Sequence, residues 1–513
     1  MIVQDQSEVT TFLMRPETLA DGCAHVRKVE THASFIFIGK ARALKLKRAV
    51  KYPFMDFSTI EIRRQFSHDE VRVNRRTAPD LYRGAIPITR CADGKLELDG
   101  TGDPVDWVID MDRFDEETLF DRKAGRGELN RRLMENLAAE VACFHQIAEA
   151  RDDFTGRGWV NDTLTSNEAS YAQFSGGTLA AERVAQFNQL QRDEFERQGD
   201  LLDERQKAGF VKECHGDLHL RNIFLSEGRA VLFDGIEFNK TFSIIDTLYD
   251  LAFLLMDLDR RDLRRLASIV FNRYMDAAWD TEGLRLLPLF LSMRASARAH
   301  VAAVGVVGAT EEDVARRLRA ESTEYHDMAF GYLDEVKPHL VAVGGLSGSG
   351  KSRMGREAAS FIGNAPGARI VRTDVIRKHL AGVDPFSKLG PEGYSPEMSQ
   401  RTYAAFYDEA RKALATGQSV IADAVFSKPE ERAAIEQIAH DLGVSFNGFW
   451  LEAPREVMEF RVTKRRHNVS DADAGVVRRQ LNYDLGEITW DRIDSSGPRN
   501  RTLEKGLSIL GLS

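Results

Sequence analysis

The segment His215-Gly216-Asp217-Leu218-His219-Leu220-Arg221-Asn222, with Asp234 closing the apolar run Val231-Leu232-Phe233, holds the side chains that phosphoryl transfer to a hydroxyl requires. A carboxylate must orient or deprotonate the nucleophile, and other oxygen ligands must hold magnesium against the nucleotide phosphates. Asp217 suits the first role, and Asn222 and Asp234 suit the second. A separate signature stands more than a hundred residues later: Gly345-Leu346-Ser347-Gly348-Ser349-Gly350-Lys351-Ser352, a full G-x-x-x-x-G-K-S. Such a loop turns the backbone N–H groups of Gly345, Ser347, Gly348, Ser349 and Gly350 towards phosphate oxygens at a helix N-terminus. Lys351 then reaches the β- and γ-phosphates, and the Ser352 hydroxyl coordinates magnesium.

Further polar residues extend the second signature towards an acceptor. Asp374 and Arg377 lie one helical turn apart in Arg372-Thr373-Asp374-Val375-Ile376-Arg377. The Asp can take a hydroxyl proton while the Arg grips an anionic part of the acceptor. The bland reading of Asp374 is a helix N-cap. Asp423, after Val420-Ile421-Ala422, is the candidate for a second magnesium or substrate ligand. Arg461 and Arg465 are spaced i, i+4 after Pro454 and could close over the triphosphate, or could be solvated helix charges. Arg466 and the turn Ser470-Asp471-Ala472-Asp473 would complete a mobile lid. Arg294 and Arg298 are read as packing and surface charge.

These residues need scaffolds of two kinds. Residues 34–38 and 43–47 alternate as strands around a turn at Gly39-Lys40, and a helix is expected over 60–76. Helices then dominate over 129–149, 180–207 and 263–332. A strand-rich lobe ahead of a helix-rich lobe is the α+β, bilobal layout of a protein-kinase-like domain. After residue 340, apolar strands (369–372, 419–422, 446–451) alternate with helices, which indicates an α/β domain with a parallel sheet. The seam between them is placed at Val336-Lys337-Pro338, because proline disfavours helix in the residue before it. The expected domains are therefore 1–337, with a small lobe over about 25–110 and a helical lobe over about 115–335, and 338–513.

On these residues the first half resembles the aminoglycoside and choline kinase-like phosphotransferases, whose signature is H-G-D-x-H-x-x-N followed by a D-x-x-E-F-like stretch, here Asp234-Gly235-Ile236-Glu237-Phe238. The resemblance implies a nucleotide lysine on the third strand and a helical glutamate to pair with it. Lys45 is the first choice and Lys47, on the same strand face, the second; Glu70 is the partner. It also implies an adenine hinge at residues 111–114 and acidic positions at Asp246 and Asp250, and it leaves His219 a structural hydrogen-bonder. The chain departs from the pattern in lacking a glycine-rich phosphate loop, since Gly39 stands alone. The second half resembles the small P-loop kinases: gluconate kinase, the polynucleotide 5′-hydroxyl kinases and the zeta-type toxins. The whole is similar to a bacterial subgroup that fuses the two.

Composition narrows the remaining choices. At 513 residues the chain exceeds one ordinary core. A net charge of −9 disfavours a dedicated polyanion binder, although a local groove stays open. Four scattered cysteines, with no C-x-x-C pair, suit a reducing compartment and no zinc site. No signal peptide or spanning run is visible, so a cytoplasmic protein without membrane attachment is expected. The favoured reading is a bifunctional ATP- and Mg²⁺-dependent kinase acting on hydroxyls of small molecules. The alternatives are a polynucleotide 5′-hydroxyl or toxin-like kinase in the second half, and an ATP-sensing regulatory protein with one inactive domain.

Overall fold

The computed structural model describes residues 2–52, 55–174, 176, 178–384, 387–464 and 469–512. It gathers them into two compact units, Met1–Thr163 with Gly199–Asp257, and Leu164–Gln198 with Leu258–Ser513. The seam expected at residues 337–338 lies inside the second unit.

The first unit begins with an antiparallel six-stranded sheet: β1 (Arg27–Glu30), β2 (Ser34–Ile38), β3 (Arg42–Lys47), β4 (Tyr82–Arg90), β5 (Leu96–Leu98) and β6 (Asp103–Asp112), in the order β1-β2-β3-β6-β4-β5. The strands β2 and β3 pair as their alternation predicts, with Ile36 opposite Lys45. On β3 the period of two sends Leu44 and Leu46 into a core with Phe37, Ile88 and Val108, and Lys45 and Lys47 to the other face. Strand β1 was not legible, because Arg-Lys-Val-Glu carries almost no apolar signal. Helix α1 (Ile60–Asn74) starts where the Thr59 hydroxyl accepts from the Ile62 N–H, and its Glu70 and Asn74 are buried.

Beyond helix α2 (Arg131–Ile147), two small two-stranded sheets, the second a hairpin, carry the loop chemistry. Strand β7 (Val211–Glu213) pairs with β10 (Ile244–Asp246), and β8 (Ile223–Ser226) pairs with β9 (Arg229–Leu232). Glu227 and Gly228 join the latter pair with φ of 49° and 81°, the left-handed values that a tight two-residue turn demands. That turn sets Asn222, just before β8, beside the segment that follows β9. Helix α3 (Thr247–Arg260) comes next.

In the second unit the helical run expected over 263–332 is broken into α4 (Arg264–Ala278), α5 (Leu287–Gly308) and α6 (Glu312–Gly331). Trp279 stops the first with φ 54°, and Pro288 restarts the second within its first turn, where its missing N–H has no partner to lose. A parallel five-stranded sheet follows: β11 (His339–Gly344), β12 (Arg369–Arg372), β13 (Val420–Asp423), β14 (Ser445–Glu452) and β15 (Asp491–Asp494), ordered β12-β13-β11-β14-β15. Its helices include α7 (Lys351–Ala358), α8 (Thr373–Leu380), α9 (Pro396–Ala415), α10 (Pro429–Leu442), α11 (Arg455–Thr463) and α12 (Ala474–Gln480). Strand order reverses between β11 and β13, which opens a crevice at their carboxyl ends.

Helix α4 covers the free edge of that sheet. The Asn272 amide accepts from the Ile370 N–H at 2.7 Å and donates to the Ala368 carbonyl at 3.1 Å, as a neighbouring strand would. Arg369 pairs with Asp276 at 2.6 Å, and Trp279 stacks on His379 with ring centroids 3.7 Å apart. Among the described residues no helix is long and apolar enough to cross a membrane.

Candidate active sites

In the first unit, five charged side chains meet over the sheet. Lys45 Nζ lies 2.7 Å from Glu70 Oε1 and 2.5 Å from Asp234 Oδ1. Lys47 Nζ lies 2.6 Å from Glu70 Oε2 and also binds Glu237. Glu70 thus bridges both lysines. Lys47 is sealed, with 2 % of its side chain exposed, whereas Lys45 faces the more open Asp234. Burial raises the Glu70 pKa, but the two lysines outweigh it and hold the carboxyl down to about 2. Burial pushes Glu237 up to about 7, because Lys47 cannot offset both desolvation and the neighbouring Glu70 charge. The ammonium of Lys45 is raised well above its ordinary range, as Asp234 and Glu70 overcome its burial. The role of Asn74, one helical turn after Glu70, was not foreseen, although its spacing was the available signal. It accepts from the Gly235 N–H at 2.7 Å and so fixes the turn after Asp234. Asp234 itself has φ 60°, a strained value for a non-glycine residue, and the Tyr82 hydroxyl accepts its N–H at 3.2 Å.

The loop bearing Asp217 is clamped from below. Asp250 accepts from the N–H groups of His215 and Gly216 at 3.1 and 2.9 Å, and from His145 Nε2 at 3.0 Å. Cys214 stands near this carboxylate, but both of its oxygens are taken by N–H donors, so the trio is a hydrogen-bonded brace and no cation site. The Asp217 N–H donates to His215 Nδ1, which assigns the His215 proton to Nε2, donating to the Phe233 carbonyl at 2.9 Å. Asp246 pairs with Arg205 through two bonds of 2.7 and 2.9 Å and caps Leu248. Asn222 donates to Asp217 Oδ2 at 2.9 Å, which leaves its carbonyl oxygen available. Asp217 also lies 3.3 Å from His219 Nε2. The free oxygens of Asn222 and Asp234 fit a hard cation that prefers carbonyl and carboxylate ligands. At the expected hinge, Phe114 stacks on Phe224 with centroids 4.4 Å apart.

In the second unit the glycine-rich loop follows β11 and opens onto α7. Gly345, Gly348 and Gly350 have φ of 135°, 87° and 103°. A Cβ at Gly348 would meet the Met458 carbonyl at 2.6 Å, so α11 leaves room for glycine alone. Arg461, on α11, donates to the Gly348 carbonyl at 3.3 Å and the Ser495 carbonyl at 2.6 Å. The Ser347 N–H is capped by the Gln480 side chain at 2.7 Å, a contact with no motif to announce it. Burial raises Asp423, while Lys351, Arg372 and the Ser352 side chain favour its ionised form. In a loop of this pattern the lysine and the hydroxyl residue are the groups that meet nucleotide phosphate and magnesium.

On the acceptor side, Asp374 is half-buried in the first turn of α8. Arg377 is 8 % exposed and directs Nη1 to the Gly393 carbonyl at 2.9 Å, under the Tyr394 ring. Buried Lys378 pairs with Asp471 at 3.0 Å, and Asp471 also accepts from the Leu389 N–H and the Tyr394 hydroxyl. The expected turn at 470–473 is therefore tied to the segment before α9. Arg465 and Arg466 lie outside the described residues. Arg294 is buried within α5, and Arg298 faces Glu321 and Tyr325, as packing and surface roles require.

Residues 62–287 match the sequence model of the Phosphotransferase enzyme family, and residues 340–483 match an AAA domain model. An uncharacterised protein of Mycobacterium tuberculosis strain H37Rv is 28% identical over 494 residues, 94% of each chain. A choline/ethanolamine kinase family protein from Mesorhizobium loti aligns at 11% identity and TM-score 0.35, covering 62% of this chain and 97% of that one. A gluconokinase from Sinorhizobium meliloti 1021 aligns at 22% identity and TM-score 0.25, covering 34% and 92%. Residues 62–287 are thus similar to the phosphotransferase enzyme family, and residues 340–483, which hold the glycine-rich loop, to an AAA domain.

Proposed function

We propose that the chain is a bifunctional kinase with two separate ATP·Mg sites, each moving the γ-phosphoryl group to a hydroxyl of a small molecule. The observation that supports this reading is the meeting, within each unit, of a lysine, side-chain oxygens of a kind that suits a hard cation, and a further carboxylate. In the first site Lys45, held by Glu70, binds nucleotide phosphate; Asn222 and Asp234 hold magnesium; Asp217 takes the acceptor proton at its carboxylate. In the second site the loop 345–352 cradles the phosphates, Lys351 binds them, and Ser352 and Asp423 hold magnesium. Asp374 takes the acceptor proton there, Arg377 shapes the acceptor side, and Arg461, held against the Gly348 carbonyl, adds positive charge beside the phosphate loop. A magnesium ion held by these residues would offset the charge that develops on the transferring group.

Calorimetric titration of the full chain with AMP-PNP and magnesium tests the two-site reading. Two sites per chain are expected. Lys351→Ala should remove one and Asp234→Ala the other. A single site in the unaltered chain sinks the bifunctional reading. ATP hydrolysis that no hydroxylated compound stimulates, with either site disabled, favours a sensor instead.

A further inference from the structure

We infer that the second unit holds a binding site, apart from both nucleotide sites, for a small zwitterion with an apolar body, of the class of an apolar α-amino acid. The site is a cavity of about 330 Å³ where the last turn of α3, the starts of α4 and α5 and the end of α6 face residues 363–365. All of its lining residues belong to this unit. Its volume falls within the range of small-ligand pockets, roughly 300–1,000 Å³. Gly363 packs on Ser419, just before β13, so this loop lies at the amino edge of the parallel sheet. The loop 345–352 follows β11 at the carboxyl edge, and the two sites therefore stand at opposite ends of the strands.

The cavity lining divides by chemistry. Pro288, Leu291, Met328 and Val336 give it an apolar wall, while Asp259 and Arg264 bring one charge of each sign. Among the described residues no ion pair joins these two. Asp259 Oδ2 accepts from the Tyr332 hydroxyl at 2.8 Å, and its Oδ1 holds no donor. Arg264 directs Nη2 to the Gly363 carbonyl at 2.8 Å; its Nε is buried without an acceptor, and its Nη1 holds none. Both charges act on the Tyr332 hydroxyl, which burial and Asp259 push well above its ordinary range and Arg264 pulls back. Opposite charges lining one cavity, each with hydrogen-bonding capacity left over, match a ligand that carries the complementary pair. Its ammonium meets Asp259 Oδ1, its carboxylate meets Arg264 Nη1, and its apolar side chain lies against Pro288, Met328 and Val336. A purely anionic ligand would face Asp259 and a purely cationic one Arg264, a repulsion that the zwitterion avoids.

Calorimetric titration of the full chain with leucine, methionine and phenylalanine tests this. Each is compared with its analogue lacking the amino group and its analogue lacking the carboxylate, which for leucine are isocaproate and isoamylamine. At least one amino acid should bind saturably, and roughly ten-fold or more tightly than either of its analogues. Asp259→Asn should weaken the amino acid by a similar factor while leaving the deaminated analogue unchanged or improved. Arg264→Gln should do the same with respect to the decarboxylated analogue. This ligand-by-ligand pattern separates lost contacts from a damaged fold, which would weaken every ligand alike. Saturable binding by none of the three amino acids overturns the inference. So does equal affinity for an amino acid and its two analogues, or a pair of variants that spare the amino acid or weaken all ligands equally.

Discussion

Glu70, Asp234 and Glu237 share only two ammonium groups, Lys45 and Lys47, so one carboxylate in the first site is always short of a partner. Glu237 is the one raised, to about 7 from 4.5. Between those values the folded chain binds more protons than the unfolded chain, so Glu237 makes stability fall as pH rises from 4.5 through about 7. The effect is at most about 3 kcal/mol. Urea unfolding at several pH values should show this slope, and Glu237→Gln should flatten it; an unchanged slope would refute the assignment. Glu70 acts in the opposite sense, its stabilisation being lost as pH falls below 4.5 through about 2. Asp217→Asn should keep nucleotide affinity while lowering transfer by about 10²–10⁴-fold. Turnover by that variant at the unaltered rate, with Lys351→Ala also present, would show that Asp217 is not the base.

Helix α4 and strand β12 form the element-scale joint of the second unit. Asn272→Ala would strand the Ile370 N–H and the Ala368 carbonyl at a buried edge, at a cost of about 1–3 kcal/mol. Denaturant midpoints for the transition of this unit should fall accordingly, and an unchanged midpoint means that water replaces the amide. No local pattern announces this joint, because Asn272 and Ile370 are 98 residues apart. By contrast, the resemblance to the phosphotransferases pointed to Lys45 and Glu70, strand alternation put Lys45 and Lys47 on one face without choosing between them, and residues 345–352 stood out by glycine spacing. Lys47 was legible as a neighbour but not as the partner of Glu237, 190 residues away. Helix periodicity likewise overran the break after Ala278, since a left-handed Trp279 has no sequence mark.

At the scale of the molecule, the sequence seam and the packing disagree. The family match to residue 287 runs through α4, yet α4 packs in the same unit as the P-loop sheet. A fragment of residues 338–513 should therefore be less stable than one of residues 258–513. It lacks Asp276 for Arg369 and leaves the β12 edge open, a template for strand addition between molecules. Thermal melts and light scattering on both fragments check this, and equal melting without aggregation would show that the P-loop part is self-sufficient.

The turn Glu227-Gly228 has one more use. It lies at the exposed far end of the hairpin whose near end sets Asn222 beside the segment leading to Asp234, and a Cβ at Gly228 would meet nothing within 4 Å. Exposed tips of this kind accept added chain. A short tag or dye-bearing insert there would ride on the rigid arm that carries the cation ligands without touching them. It would give the first site an optical handle, addressed separately from the P-loop half.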